Sequence, residues 1–223
     1  MADQPGTRTD GGSDAGDGPE AASEAPSGAP RIGGVVLAAG LGTRFEGGNK
    51  LLAESDGTPV VERATETLSR SGVGEVVAVV GHEAERVTAA VDHLADAVRR
   101  NEDYASGQST SVREGVAAAR AADWDAAVFM LGDMPFVRPA TVDTVLDAYA
   151  SGDGSIVAPA YEGQRGNPVL FGRQHFDALA DVSGDRGGRD LIETHDDAVL
   201  VDVDDSGVTS DVDFREDLGG DGK

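Results

Sequence analysis

Cysteine is absent from this chain of 223 residues, which excludes disulfide bonds, thiolate metal sites and cysteine nucleophiles together. Aromatic residues make up only 4% of the chain, and no apolar run approaches the roughly 20 residues that span a bilayer. The first 30 residues contain neither a basic region nor an apolar core, so they do not form a secretory signal. We therefore expect a cytoplasmic protein that does not enter a membrane.

Positive charge is scarce, because 18 Lys and Arg residues stand against 41 Asp and Glu residues, for a formal net charge of -23. Such a surface repels nucleic acid and anionic membranes, so neither is an expected partner. The acidic residues are spread along the chain, which favours a halophile-like adaptation to high salt over a specific acidic binding face. Lysine occurs only at Lys50 and Lys223, and Lys50 ends a glycine-rich loop.

Composition divides the chain into a folded domain and two tails. Residues 1–30 are almost all Gly, Asp, Ala, Ser, Pro and Glu, with six acidic residues and one arginine. They bury no apolar area that would offset the entropy of ordering. We predict a disordered acidic N-terminal tail over residues 1–30, one domain over residues 31–218 and a short C-terminal tail over residues 219–223. The domain is long enough for a sizeable core.

Strand-length apolar runs alternate with helical stretches after residue 31. The predicted strands are Gly34–Ala38, Val76–Val80, Ala97–Arg99, Ala127–Leu131, Ser155–Ala158 and Val199–Val203, and the predicted helices are Val60–Ser71, Glu83–Leu94, Ser109–Ala122 and Ala140–Ala150. Runs that are apolar throughout, such as VVAVV, are typical of parallel strands covered on both faces. The pattern predicts an α/β fold, a three-layer α/β/α sandwich with a mostly parallel sheet. We expect Tyr161–Arg173 to add a flap or a small antiparallel element.

The loop Ala39–Lys50 follows the first predicted strand, and ligands of such sheets lie beyond the carboxyl ends of the strands. Its sequence matches neither the P-loop pattern G-x-x-x-x-G-K-[ST] nor the dinucleotide pattern G-x-G-x-x-G. Gly40 and Gly42 nevertheless let backbone N–H groups approach phosphate oxygens, and Arg44 and Lys50 add positive charge. The alternative is an ordinary glycine-rich turn with a solvated arginine and lysine.

Three aspartates are candidate ligands of Mg²⁺. Asp133 directly follows an apolar strand, and Asp211 and Asp213 alternate near the end of the domain. Mg²⁺ prefers oxygen ligands and bridges phosphates, so a carboxylate at the carboxyl end of a strand suits it. Two alternatives stay open: Asp133 caps a turn, or one of Asp211 and Asp213 is the N-cap of a helix formed by FREDL.

Six segments between Val35 and Leu218 carry a resemblance to a known family: LAAGLGTRFEGGNKLL, VVGHEAE, NEDYASGQSTSVREG, LGDMPFV, RGNPVLF and DVDFREDL. In this order they resemble the small nucleotidyltransferases of the molybdopterin type, and among these the molybdenum cofactor cytidylyltransferases. The resemblance implies a Rossmann-like nucleotidyltransferase fold. The chain departs from that family in one extra loop residue, with Glu46 beside the anion site, and in DFREDL in place of DTPEDL. We expect Glu46 to point away from the site.

The resemblance also implies roles for individual residues. Arg44 and Lys50 are the implied catalytic residues, which neutralise the triphosphate and the departing pyrophosphate. Asp133 is the implied ligand of Mg²⁺, with Asp213 or Asp211 completing the site. The segment GQRGNPVLFG is implied to shape the site of the second substrate. The implied nucleotide-binding residues are Leu37, Ala38, Ala39, Gly40, Gly42, Thr43, Asn101, Gly107, Ser109 and Ser111.

Three functions follow from these observations. The leading one is the Mg²⁺-dependent transfer of CMP from CTP to molybdopterin, a phosphorylated acceptor, with a molybdenum hydroxylase as a candidate partner. A second is a nucleotidyltransferase of the same fold that uses GTP, or a sugar phosphate or polyol phosphate as acceptor. A third is a regulatory module that binds a nucleotide without turnover. Arg44, Lys50 and Asp133 together argue against the third, because a module that only binds does not need all three.

Overall fold

The computed structural model describes Met1 and residues 28–42, 45–182, 184 and 188–219. Most of the predicted N-terminal tail lies outside these residues, as do Thr43, Arg44 and residues 220–223 of the predicted C-terminal tail. Within the described ranges, every helix is too short or too polar to cross a bilayer.

The described strands form one large sheet and one small hairpin. In chain order they are β1 (Ile32–Ala38), β2 (Glu54–Ser55), β3 (Thr58–Pro59), β4 (Val76–Val80), β5 (Ala97–Arg100), β6 (Ala126–Leu131), β7 (Ile156–Tyr161), β8 (Gln164–Arg165), β9 (Val169–Gly172) and β10 (Ala198–Asp202). The order in the large sheet is β10-β7-β9-β6-β1-β4-β5, with β8 paired to β7, while β2 and β3 form the hairpin. Strand β1 is parallel to both of its neighbours, β4 and β6.

Helices cover both faces of the sheet. They are α1 (Val60–Ser69), α2 (Ala84–Val91), α3 (Gln108–Ala121), α4 (Pro139–Ala150), α5 (Phe176–Asp181) and α6 (Arg189–Thr194). Val36 of β1 belongs to the core under α1, α2 and α4, whereas its neighbour Val35 belongs to the core under α3 and α5. This alternation arises because successive side chains of a strand point to opposite faces. The predicted three-layer α/β/α sandwich with a mostly parallel sheet is confirmed.

The segment after β7 was predicted to add a flap or a small antiparallel element. It is antiparallel as predicted, but β9 lies inside the sheet, between β6 and β7. Leu170 enters one core, and Val169 and Phe171 enter the other. A short run that is apolar on both sides buries more area inside the sheet than at its margin, which explains its interior position.

Removal of residues 1–30 is expected to leave turnover and thermal stability unchanged. Arg31 holds the start of β1: its backbone N–H donates to Asp125 Oδ2 at 2.8 Å and its guanidinium donates to the Ala122 carbonyl at 2.8 Å. Both contacts survive the truncation. The measurement is limited proteolysis followed by a comparison of turnover in the trimmed and full chains; a clear drop after trimming contradicts the prediction.

Candidate active site

Backbone hydrogen bonds bring three chain segments together at the carboxyl ends of β1 and β6. Gly132, directly after β6, donates its N–H to the Leu37 carbonyl near the end of β1 at 3.0 Å. Val212 donates its N–H to the Asp133 carbonyl at 2.9 Å. Asp133 therefore lies beside the first loop on one side and beside the segment 211–213 on the other. This is the meeting of segments that the position of strand ends predicts.

Lys50 joins two of the carboxylates. Its Nζ lies 2.6 Å from Asp133 Oδ2 and 2.8 Å from Asp213 Oδ1, and its side chain is only 14% exposed. Burial, the largest single influence, lowers the pKa of Lys50, but Asp133 and Asp213 together outweigh it and raise that pKa above its ordinary value. Lys50 is therefore a charged ammonium, held by opposite charges in a half-enclosed site.

The same carboxylates fit a divalent cation. Asp133, Asp211 and Asp213 each offer one oxygen, and these oxygens all lie within 4.8 Å of one another. Asp133 Oδ1 is buried and has no hydrogen-bond partner among the described residues, which leaves it available as a ligand. Partial desolvation raises the pKa of Asp211, and the charges of Asp133 and Asp213 raise it further. Crowded carboxylates with an unpartnered oxygen suit a hard divalent cation.

An apolar cluster attaches the segment 211–213 to the first loop. Val212 is buried and packs with Phe45 of the loop and with Val60 of α1. Arg215 lies 6.0 Å from the centroid of the Phe45 ring, and its Nε donates to the Glu46 carbonyl at 3.1 Å. Glu46 itself is exposed. These contacts hold the loop and the carboxylate segment as one unit, so the position of Lys50 and that of Asp213 are coupled.

Asp217 orients Asp213, a role that the sequence did not reveal. Asp217 Oδ2 accepts from the backbone N–H groups of Asp213 at 2.9 Å and of Phe214 at 2.7 Å. Phe214 occupies the N-cap position of the 3₁₀ turn Arg215–Leu218, so the alternative in which one of Asp211 and Asp213 is the N-cap is wrong. The signal was an acidic residue three positions after the N-cap, from where its side chain reaches back to the backbone N–H of the N-cap.

A cavity of about 420 Å³ opens beside Lys50, Asp133 and Asp213. Six of the predicted nucleotide-binding residues line it, namely Leu37, Ala39, Gly40, Gly42, Gly107 and Ser111. Three others, Ala38, Asn101 and Ser109, are buried behind its wall. Asn101 Nδ2 donates to Thr110 Oγ1 at 2.8 Å and to Ser111 Oγ at 2.9 Å, so it positions a lining residue. The predicted residues Thr43 and Arg44 lie outside the described residues.

Two glycines allow close approaches that shape this cavity. Gly42 has φ +58°, which favours glycine, and a Cβ there would lie 3.2 Å from Lys50 Cγ. A Cβ on Gly81 would lie 2.6 Å from Tyr104 Cβ and 2.8 Å from Ala39 Cβ. Because Gly81 has no side chain, Tyr104 packs close to Ala39 of the first loop. Tyr104, which lines the cavity, was not predicted as a site residue, and the glycine directly after the buried strand VVAVV is the feature of the sequence that indicates this close approach.

Comparison with known proteins identifies a family and several relatives of this chain. Residues 34–199 match the family described as MobA-like NTP transferase domain. Nicotine blue oxidoreductase of Paenarthrobacter nicotinovorans is 33% identical over 193 residues, which are 78% of this chain and 93% of that protein.

Solved structures share the fold. The crystal structure of Rv0371c from Mycobacterium tuberculosis H37Rv superposes with a TM-score of 0.71 at 29% identity, covering 85% of this chain and 96% of that chain. Its complex with manganese has a TM-score of 0.68 at 29% identity, covering 84% and 95%. A nucleotidyl transferase from Methanothermobacter thermautotroptrophicus has a TM-score of 0.71 at 27% identity, covering 84% of this chain and 94% of that chain. With the family match spanning most of the domain, this chain belongs to the MobA-like NTP transferase domain family of nucleotidyltransferases.

Proposed function

We propose that this protein transfers CMP from CTP to molybdopterin with release of pyrophosphate and with Mg²⁺ as cofactor. The observation that carries the proposal is the contact of one partly buried ammonium, that of Lys50, with Asp133 and Asp213 at the wall of a cavity beyond the strand ends. Such a site combines an anion-binding group with a set of cation ligands. A nucleoside triphosphate bound with a divalent cation needs both.

In this reaction a phosphate oxygen of the acceptor attacks the α-phosphorus of CTP. The bond from that phosphorus to the oxygen bridging to the β-phosphate breaks, and pyrophosphate leaves. Lys50 places its charge where negative charge grows on the departing group, and the backbone of Gly40 and Gly42 faces the phosphates. Asp133, Asp211 and Asp213 would hold a divalent cation, which would supply further neutralisation of the triphosphate. Positioning and charge account for the rate, without a covalent intermediate.

CTP is expected to be the preferred nucleotide over GTP, ATP and UTP. The expectation rests on the resemblance, mainly on the segment NEDYASGQSTSVREG, and is supported by the positions of Tyr104, Gly107 and Ser111 on the cavity wall. The measurement is pyrophosphate release from each of the four nucleotides with Mg²⁺ and molybdopterin. A clear preference for GTP contradicts the choice of base while leaving the reaction class standing.

The same assay separates the acceptors. Turnover is compared with molybdopterin, a sugar 1-phosphate and a polyol phosphate as acceptors at equal concentration. Turnover with only the sugar phosphate or only the polyol phosphate identifies that compound class as the acceptor. Binding of nucleotide without pyrophosphate release from any combination favours the regulatory module. Capture of a molybdenum hydroxylase by the product-loaded protein supports that enzyme as the partner.

A second candidate function comes from the relative in Paenarthrobacter nicotinovorans, which carries the name of an oxidoreductase and is 33% identical. The contact of Lys50 with Asp133 and Asp213 favours nucleotide transfer, because hydride transfer does not require a cluster of cation ligands. Oxidation of NADH or NADPH by a dye substrate, followed by absorbance, is the discriminating measurement. Reduction of such a substrate without any nucleotide transfer overturns the first proposal.

A further inference from the structure

Asp205 is a buried carboxylate outside the candidate site. It lies between β10 and the segment 211–213, and its side chain is only 5% exposed. A carboxylate is rarely buried to this extent unless its oxygens are paired, because the loss of hydration is costly. The partners of Asp205 therefore indicate which parts of the chain it holds together.

Both carboxylate oxygens of Asp205 have partners, most of them at the start of α4. Oδ2 accepts from the Arg138 backbone N–H at 2.9 Å and from the Thr141 hydroxyl at 2.5 Å. Oδ1 accepts from the Gly207 N–H at 3.1 Å and lies 3.4 Å from Arg138 Nε. Arg138 is the N-cap residue of α4, and its own side chain makes no capping hydrogen bond. Asp205 thus supplies a negative charge at this helix N-terminus from a distant part of the chain, where the helix dipole favours it.

Residues 205–213 form an arm, here called the carboxylate arm, that lies along the loop between β6 and α4. At one end of the arm, Asp205 accepts from the Arg138 N–H at the start of α4. At the other end, Val212 donates its N–H to the Asp133 carbonyl at 2.9 Å. The arm and the loop therefore run in opposite directions, and hydrogen bonds join them at both ends.

Gly207 closes the gap between these two ends. A Cβ at this position would lie 2.3 Å from the carbonyl oxygen of Phe136, so the backbone of the arm packs directly against the loop. Gly207 also donates its N–H to Asp205, which fixes the turn that brings the two backbones together. While Asp205 keeps its partners, the carboxylate arm has little room to shift along the loop.

The candidate cation ligands come from both of these segments. Asp133 belongs to the loop, whereas Asp211 and Asp213 belong to the arm, and one oxygen of each lies within 4.8 Å of the others. Mg²⁺ demands near-ideal octahedral geometry with oxygens at about 2.0–2.1 Å. A site of this kind needs its ligands held to within about 0.5 Å. A shift of the arm against the loop therefore alters the site without changing any ligand.

We propose that Asp205 is a positioning residue for the divalent cation. By fixing the carboxylate arm at the start of α4, it sets where Asp211 and Asp213 lie relative to Asp133. Asp205 itself does not contact the cation. The inference rests on the part of the proposed function that assigns a divalent cation to these three carboxylates, and it adds the contact that determines which cation fits. Loss of a contact that orients metal ligands typically weakens metal binding about 10–100-fold.

The test is Asp205→Asn in the full chain, with Mn²⁺ binding followed by electron paramagnetic resonance in the presence and absence of CTP. The amide places an NH₂ group against the N–H of either Gly207 or Arg138, so one buried donor loses its acceptor and the arm is displaced. We expect the Kd for Mn²⁺ to rise about tenfold or more.

Competition of Mg²⁺ and Ca²⁺ against bound Mn²⁺ separates positioning from a simple loss of folded protein. Mg²⁺ requires a strict geometry, whereas Ca²⁺ accepts flexible sites with longer ligand distances. A displaced arm is therefore expected to weaken Mg²⁺ binding more than Ca²⁺ binding. A smaller folded fraction weakens both by the same factor and leaves the ratio of the two dissociation constants unchanged.

The matched control is Asp143→Asn on the same helix. Asp143 Oδ1 accepts from the Gly72 N–H at 2.7 Å, so this carboxylate also attaches a loop to α4, but that loop leads into the amino end of β4, away from the cation site. Both substitutions are expected to lower the melting temperature, and only Asp205→Asn is expected to weaken Mn²⁺ binding. If Asp205→Asn does not fold, Thr141→Val removes one donor to Asp205 and is expected to act in the same direction by less.

Unchanged Mn²⁺ affinity in folded Asp205→Asn overturns the inference, and in its place unchanged affinity in Thr141→Val does so. An equal loss for Mg²⁺ and Ca²⁺, or an equal loss in Asp143→Asn, also overturns it. Absence of Mn²⁺ binding to the unmodified chain, with and without CTP, overturns it as well, because no cation is then held. Pyrophosphate release is measured separately. If no nucleotide yields pyrophosphate while cation selectivity still depends on Asp205, the proposed function fails and the positioning role stands.

Discussion

Asp133→Asn is expected to lower Mg²⁺-dependent turnover by about a hundredfold or more, while the fold stays intact. The substitution retains the shape of the side chain but removes the charge that Lys50 contacts and that a bound cation would require. Mg²⁺ is held in proteins by only one or two carboxylates plus the substrate phosphates, so the loss of one carboxylate weakens its binding sharply. The measurement is pyrophosphate release as a function of Mg²⁺ and Mn²⁺ concentration, with a thermal melt of each variant.

The control for this variant is Asp147→Asn on the exposed side of α4, which makes the same chemical change outside the site. Its turnover is expected to equal that of the unmodified chain. Activity of Asp133→Asn at ordinary Mg²⁺ concentration means that the cation is held by other residues, and it removes the main support for the metal site.

Lys50→Met is expected to lower turnover by about a hundredfold, since a charge contact made in the transition state is typically worth roughly 3 kcal/mol. Lys50→Arg is expected to lose most of the activity as well, because the planar guanidinium is larger and cannot take the position of a compact ammonium between Asp133 and Asp213. Single-turnover pyrophosphate release with saturating CTP and Mg²⁺ measures the chemical step in each variant.

The thermal stability of the Lys50 variants is expected to change little in excess Mg²⁺, because the cation offsets the repulsion between the carboxylates that Lys50 no longer neutralises. The control is Arg70→Met, which removes one positive charge from an exposed ion pair on α1. Turnover of Lys50→Met within a few-fold of the unmodified chain means that the glycine-rich loop is an ordinary turn. In that case the lysine has no catalytic role.

The sequence predicted most of the sheet because buried parallel strands are continuous apolar runs. VVAVV forms β4 with the predicted bounds, Val76–Val80, and AAVFML forms β6 with one residue more than predicted. The position of β9 was not predictable in this way, because a strand of four residues has the same pattern at the margin of a sheet and in its interior. Its place depends on pairing with β6 and β7, which are distant in sequence.

In the candidate site, too, some contacts were predictable from the sequence and others were not. Asp133 and Lys50 were predicted to meet because both follow strands whose carboxyl ends lie at one edge of the sheet. The support of Asp213 by Asp217 depends on the geometry of a short 3₁₀ turn. The presence of Arg165 and Arg189 on the wall of one cavity depends on the register of one hairpin and on where a short helix packs, and no local pattern encodes either. Contacts set by strand ends are readable from sequence, whereas contacts set by tertiary packing are not.

Two cavities, of about 470 and 420 Å³, share Leu37, Gln108 and Leu131 as wall residues, which has a kinetic consequence for the proposed function. If one cavity holds the nucleotide and the other the acceptor, the product that joins them would occupy both cavities and bind as one molecule. It would lose translational and rotational freedom only once while it gained contacts on both sides, so it would bind more tightly than either substrate. Departure of the product, rather than bond formation, would then limit the steady-state rate, and a recipient protein that accepts the product directly from the two cavities would relieve this limit.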